Sequence, residues 1–326
     1  MNAVDHNNVV IFDDRGIPSI MCRFVRPKDT EEVPAVFKIG DKVADAIYIS
    51  KYPNIVIDGR AYSMPMADPT VNITFDGAVQ ACRCKGLGWH LMTAVEYEYL
   101  LNQSREKGTM PHGNTDWGKG YYHNDEQGKV SNLGRTYTGT GPVTWNHDHT
   151  PYGVSDLNGN VWEWLAGLRI KDGVIEFIPD NKAASPYCDL SKDSAEWQQA
   201  ETSKGPVRAN VECGEITITD AVAADDYEPD YDGVRIEKLE VELSEIPQVL
   251  KDLGIIPDKR AEEEGKTYVY FDATEGEYMP YRGSAFGSAS DSGPSALGLD
   301  NPRSISHVSI GFRSAFYEVN GKLITE

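Results

Sequence analysis

Cysteine is scarce in this chain of 326 residues: five occur (Cys22, Cys82, Cys84, Cys188, Cys213), an odd number and widely scattered. That excludes a disulfide framework, and Cys82-x-Cys84 is not the Cys-x-x-Cys of a zinc knuckle or redox pair, so reduced thiols are expected. Long apolar runs are missing as well. No stretch approaches the roughly 18–20 consecutive apolar residues of a membrane span. The opening Met-Asn-Ala-Val-Asp-His-Asn-Asn has no basic stretch followed by an apolar run. No secretory signal is therefore expected, and a location outside a cell would need another route, such as being part of a virus particle. Positive charge is short by a wide margin, 31 Lys+Arg against 51 Asp+Glu for a net −20. Phosphate backbones and anionic membranes both select a concentrated basic face, so neither nucleic acid nor membrane insertion is expected.

What is present is ordinary for a globular protein, 40% hydrophobic and 10% aromatic residues, and a chain of this length can bury a large core. Residues 1–45 carry β-like runs at Val9–Phe12, Ile20–Val25 and Val33–Ile39, parted by turn signals at Asp14-Arg15-Gly16 and Arg26-Pro27. They predict an N-terminal β extension serving assembly or oligomerisation. Strands follow at Ala46–Ser50 and Asn54–Ile57, with Asp58-Gly59 as a tight turn. Thr74 is placed to cap a first helix whose apolar stripe is Ala78, Val79, Ala81 and Cys82, ended by Gly86 and Gly88. Thr93 with Glu96 is a capping box, opening a second helix through Tyr97, Leu100 and Leu101 to about Lys107. Residues 108–150 are rich in Gly, Asn, Asp, Thr, His and Trp without periodicity, which predicts a long packed loop region. Residues 170–275 form an acidic block with its sharpest charge run over 223–232. A helix is predicted there over Ile246–Leu253, capped by Ser244 and closed by Gly254.

Three collinear stretches resemble one family. Thr74-Phe75-Asp76-Gly77-Ala78 leading to Gly88-Trp89-His90-Leu91-Met92-Thr93 is similar to the helix, turn and helix of formylglycine-generating-enzyme (sulfatase-modifying factor) domains. Asn158-Gly159-Asn160-Val161-Trp162-Glu163-Trp164 resembles their Gly-Asn-Val-Trp-Glu-Trp signature, and Tyr281-Arg282-Gly283-Ser284 with Gly311-Phe312-Arg313 their closing blocks. The resemblance implies an α+β, C-type-lectin-like fold: two helices, small antiparallel sheets and long irregular loops. The domain would span 46–326, with 170–275 as an insertion because the two halves of one fold flank it.

The enzymes of that family resemble one another in carrying reactive cysteines between the closing blocks, where thiolates bind copper. From Tyr281 to Arg313 this chain has no cysteine, so a copper oxidoreductase has no mechanism here and no catalysis is expected. His147-x-His149 offers two imidazoles at a generic spacing and reads as polar loop. Asp226–Gly233 fails as a calcium loop because Tyr231 stands where the required glycine should be. No cofactor is expected. The one ion the resemblance allows is calcium at Asn158, Gly159, Val161 and Glu163, unless Glu163 pairs within the fold.

A non-catalytic branch with this fold comprises the variable proteins of diversity-generating retroelements, whose 3′ coding segment is rewritten by randomising template adenines. Residues 281–311 resemble such a segment. Randomised asparagine codons cannot encode Lys, Glu, Gln, Met or Trp. These five make up about a fifth of the chain, yet none occurs between Tyr281 and Gly311. The resemblance implies displayed, ligand-binding positions at Ala285, Gly287, Ser288, Ala289, Asp291, Gly298, Asp300, Ile305, His307, Val308 and Ser309. Leu297, Leu299 and Phe312 would anchor the backbone so that alternate residues face outward. The implied function is receptor binding by a virus, with a protein or glycan partner on a target cell and a homo-oligomer multiplying weak contacts. The rival readings are the copper oxidoreductase and a fixed carbohydrate-binding lectin-like module.

Overall fold

Local side-chain chemistry sets the helix starts. The Thr74 hydroxyl accepts the Gly77 amide at 3.1 Å and begins the first helix, α1 (Phe75–Arg83). At Thr93 the capping box is complete, Thr93 and Glu96 exchanging side-chain and backbone bonds, and α2 (Ala94–Lys107) ends on Gly108 at φ 64°. In α1 the expected stripe of Ala78, Val79, Ala81 and Cys82 is buried. The turn Asp58-Gly59, with φ of 48° and 76°, joins Ile55–Ile57 to Arg60–Tyr62 as an antiparallel hairpin. The computed structural model describes residues 6–28, 30–224, 226–256 and 267–323. Residues 1–5 of the N-terminal segment, Asp225 of the charge run and 257–266 of the acidic block lie outside the described residues.

Two sheets carry the fold. In the first, His6–Phe12 pairs with Pro18–Val25, which pairs with Ala46–Ser50, which pairs with Ser314–Val319. The opening segment is thus continuous with the core sheet rather than an appended extension, because Met21, Cys22 and Phe24 are needed inside. The second sheet is built around Glu277–Arg282. Leu297–Pro302 lies on one side of it, Leu168–Lys171 and Trp162–Trp164 on the other. The 170–275 block adds strands at both edges. Val174–Phe177, Arg208–Glu212 and Glu215–Thr219 extend one side, Tyr268–Asp272 and Tyr231–Arg235 the other. With two principal helices, antiparallel pairings and long irregular connections, this is the α+β, C-type-lectin-like fold.

Two local expectations are corrected. Val33–Ile39 is a strand only at its end: Pro34 starts a single 3-10 turn, Ala35–Phe37, which buries Val36 and Phe37, and only Lys38–Ile39 is extended, paired with Lys42–Val43. The helix in the acidic block spans only Gln248–Asp252 and follows Pro247. Ser244 does not cap it, since its amide and hydroxyl both turn to the Asp220 carboxylate. A nearby carboxylate outcompeted the helix end.

Candidate functional site

The segment 281–313 begins and ends on buried charge. All six residues of Glu277–Arg282 are buried. The Arg282 guanidinium reaches the Glu98 carboxylate of α2 at 2.6 Å, and Arg105 binds the other carboxylate oxygen. At the far end Arg313 is wholly buried and meets Glu163 through two bonds, Nε to Oε2 at 2.6 Å and Nη2 to Oε1 at 2.5 Å. Ile310–Phe312 runs parallel beside Trp162–Trp164. Of the two tryptophans, Trp164 is buried and Trp162 half-buried.

Between these anchors the Asn-Gly-Asn turn pins the chain. Gly159 and Asn160 hold φ of 73° and 63°. The Gly159 amide donates to the Gly283 carbonyl at 2.6 Å, and the Phe286 amide donates to the Asn160 carbonyl at 3.2 Å. Next, Ala289 donates to Thr115, and Trp117 donates to Phe286. Residues 303–309 are held from another side. Their carbonyls accept from Phe75 (onto Arg303), Asn72 (onto His307) and Trp162 (onto Ser309), and from the Arg135 guanidinium (onto Val308).

The outcome is two exposed stretches on a fixed backbone. Gly287, Ile305 and His307 are exposed, and Ser288, Ala289, Asp291, Val308 and Ser309 are half-buried. The loop Leu133–Arg135 joins them: Gly134 lies against the Trp117 and Phe286 rings, and Arg135 holds Val308. Three predicted positions do not belong with this surface. Ala285 is buried, 5% exposed. Gly298 is buried too, although alternation does turn it away from Leu297 and Leu299. The Tyr281 ring covers that opposite face, and a Cβ at 298 would stand 2.1 Å from it. Asp300 accepts the Tyr281 phenol, and burial raises its pKa.

Sequence reasoning missed the aromatic surroundings. Trp117 is 62% exposed, and Tyr121, Tyr122 and Leu133 are also in the open. They come from the aperiodic 108–150 stretch. The only available signal was large apolar residues in a segment with no periodic core face.

Of the calcium set, Glu163 pairs within the fold. Both Glu163 oxygens go to Arg313, while Asn158 donates to the Pro111 carbonyl and accepts from Ser284. Among the described residues, no group of three His, Cys, Asp or Glu side chains could hold a metal ion. Cys22, Cys82 and Cys188 are buried and Cys84 and Cys213 exposed. Burial pushes the Cys22 thiol up to about 12. His147 is buried, its Nδ1 accepting the Val154 amide.

Asp156, buried beside this junction at φ 61°, accepts the Gly139 amide at 3.1 Å. Burial raises its pKa from 3.8 to about 6. Between those values the folded chain keeps a proton that the unfolded chain has lost, so this group costs stability as pH rises through the window. Asp156→Asn, which tolerates the same backbone, is expected to gain on the order of 1–3 kcal/mol at neutral pH. Urea unfolding checks this: the gain should shrink to nothing below about pH 4, where both states hold the proton.

The sequence profile of the sulfatase-modifying factor enzyme 1-like domain matches residues 51–215, half of the chain. The chain belongs to that family. The match takes in both helices and the Asn-Gly-Asn-Val-Trp-Glu-Trp segment and ends inside the acidic block. The chain is also 37% identical over 105 residues to the formylglycine-generating enzyme of Mus musculus, covering 30% of this chain and 27% of that relative. It thus spans about a quarter of that relative's length. Among solved structures, PvdO from Pseudomonas aeruginosa is similar at a TM-score of 0.37 and 12% identity, covering 95% of this chain and 98% of PvdO. Treponema denticola variable protein 1 gives the same TM-score and identity, covering 95% and 99% of the two chains. The Major Tropism Determinant U1 variant gives 0.33 at 11% identity, over 98% and 74%.

Proposed function

We propose that this member of the family is a non-catalytic, retroelement-diversified ligand-binding protein, carried on a virus particle and engaging a receptor on a target cell. One observation carries the reading. Between two buried ion pairs, a segment with no Lys, Glu, Gln, Met or Trp presents Gly287, Ser288, Ala289, Asp291, Ile305, His307, Val308 and Ser309 on a backbone tied down by other elements. Hydrogen bonds donated by Asn72, Phe75 and Trp162 and accepted by Thr115 and Asn160 involve main-chain groups of the segment, so side chains can be exchanged while the loop stays in place. The same segment lacks the thiols on which the family's oxidative chemistry depends. The exposed edge strand His6–Phe12, with Val10 and Phe12 in the open, is where we place self-association.

Sequencing the 3′ end of the gene in sibling isolates tests this. Substitutions should gather at the eight displayed codons, each reachable from an asparagine codon, with Arg282, Gly283, Leu297 and Arg313 unchanged. Substitutions spread evenly along the chain, or none at all, would sink the reading.

A further inference from the structure

A second candidate site lies beside the displayed loop, on residues outside the diversified positions. The chain from Gly108 to His123 folds back against His149, Asn158 and Ser292–Pro294, leaving a cavity of about 650 Å³. This is the size range of small-ligand pockets. Close backbone crossings make its floor rigid: a Cβ on Gly113 would stand 1.7 Å from the Asn158 carbonyl. In a chain of net charge −20, no carboxylate, lysine or arginine among the described residues lines the cavity. Five aromatic rings stand in its walls. The His112 and His123 imidazoles stack with centroids 3.4 Å apart and planes 8° from parallel. His149 stands edge-on to His112 at 5.5 Å, and Tyr121 and Tyr122 meet edge-to-face at 5.1 Å.

The partners of these imidazoles define which nitrogen carries hydrogen. His112 Nδ1 lies 3.0 and 3.1 Å from the two carboxylate oxygens of Glu126. Burial works to raise the Glu126 pKa, but hydrogen bonds from Thr144, His112 and Trp145 outweigh it and keep the group ionised. An ionised carboxylate only accepts, so Nδ1 bears the hydrogen and Nε2 of the neutral ring is a bare acceptor. His149 Nε2 lies 3.1 Å from the Met110 carbonyl, which likewise only accepts, so in the neutral ring Nδ1 is the bare nitrogen. Burial, aided by the two neighbouring imidazoles, holds the His112 pKa below its ordinary value despite Glu126, which favours that neutral form. A metal is a poor occupant. The parallel planes of His112 and His123 cannot both aim a lone pair at one ion.

We infer that this cavity is a constant saccharide-binding site. A pyranose ring suits these walls: its hydroxyls can donate to His112 Nε2 and His149 Nδ1, and its apolar C–H face can lie against the Tyr121 and His123 rings. A charged ligand would find no counter-charge. The inference is independent of diversification, because the cavity stays the same whichever residues occupy 287–291 and 305–309.

The test uses the full chain and a panel of methyl pyranosides (glucose, galactose, mannose and N-acetylglucosamine), followed through the histidine ring resonances by NMR. At least one sugar should shift the His112, His123 and His149 signals saturably, with a Kd of about 1 mM for a single small ring. Tyr121→Ala and His149→Phe should each weaken it at least about tenfold. Ile305→Ala and His307→Ala should leave it unchanged, and thermal unfolding should show all four variants folded. No saturable shift with any of the sugars up to about 50 mM would overturn the inference. So would shifts that persist in both cavity variants, or that vanish only with Ile305→Ala or His307→Ala.

Discussion

Glu163→Gln is expected to cost about 3–5 kcal/mol of folding stability, because it strands the buried Arg313 charge. Burial pulls the Arg313 pKa down, and the Glu163 carboxylate more than offsets it, holding the guanidinium charged. The remaining guanidinium contacts are carbonyls, Ser50 and Ser155 at 3.0 Å and Lys51 and Asp156 at 3.4 Å. They orient the group but cannot neutralise it. Glutamine supplies one acceptor and turns an amide N–H₂ toward a cation. Because Ile310–Phe312 pairs with Trp162–Trp164, the loss should also loosen the exit of the displayed segment. Urea unfolding measures the cost. Adding Arg313→Met to Glu163→Gln should recover part of it by removing the stranded charge. A single-variant loss under about 1 kcal/mol would mean that water reaches this pair and that the junction is not a closed core.

Gly283→Ala should be nearly as damaging at the other end. Gly283 sits at φ +95°, and a Cβ there would stand 2.6 Å from the Leu157 carbonyl and 2.9 Å from the Tyr97 hydroxyl. That hydroxyl already lies 2.7 Å from the Leu157 carbonyl and 2.9 Å from that of Pro294, so it has nowhere to retreat. Left-handed strain and overpacking together predict a loss of about 3 kcal/mol. Gly287→Ala, four residues on, is the control. Its Cβ would meet nothing closer than the Trp117 ring at 3.6 Å, and it is exposed. A change under about 0.5 kcal/mol is expected there. Thermal unfolding of the two variants therefore separates frame from display. Equal losses would remove the distinction on which the proposed function rests.

That separation of frame from display explains why parts of the site are legible in the order of amino acids. Arg282, Gly283 and Arg313 stand in segments whose residue types are dictated by buried charge pairing and a positive φ, and such demands leave marks in sequence. The bare stretch from Tyr281 to Gly311 is a mark of another kind, a restriction on which side chains occur at all. Neither says which way a given side chain points. For Gly298, strand alternation correctly turned it away from Leu297 and Leu299, yet the Tyr281 ring, bonded to Asp300, closes that face. Ala285 lies inside for a related reason: Gly159 and Asn160 hold its neighbours to the core from more than a hundred positions away.

Determined by the sequence alone were the capped starts of both helices, the Asp58-Gly59 hairpin, the family signature and the missing thiols, since each depends on a few adjacent residues or on composition. Left to the tertiary structure were the place of His6–Phe12 and Pro18–Val25 in the core sheet, the short helix at Gln248–Asp252, and the ring-walled cavity. It also decided that Trp117 and Leu133–Arg135 join the two displayed stretches. Those outcomes turn on contacts between distant segments, where one carboxylate or one aromatic ring arriving from elsewhere outweighs a local preference worth a fraction of a kcal/mol.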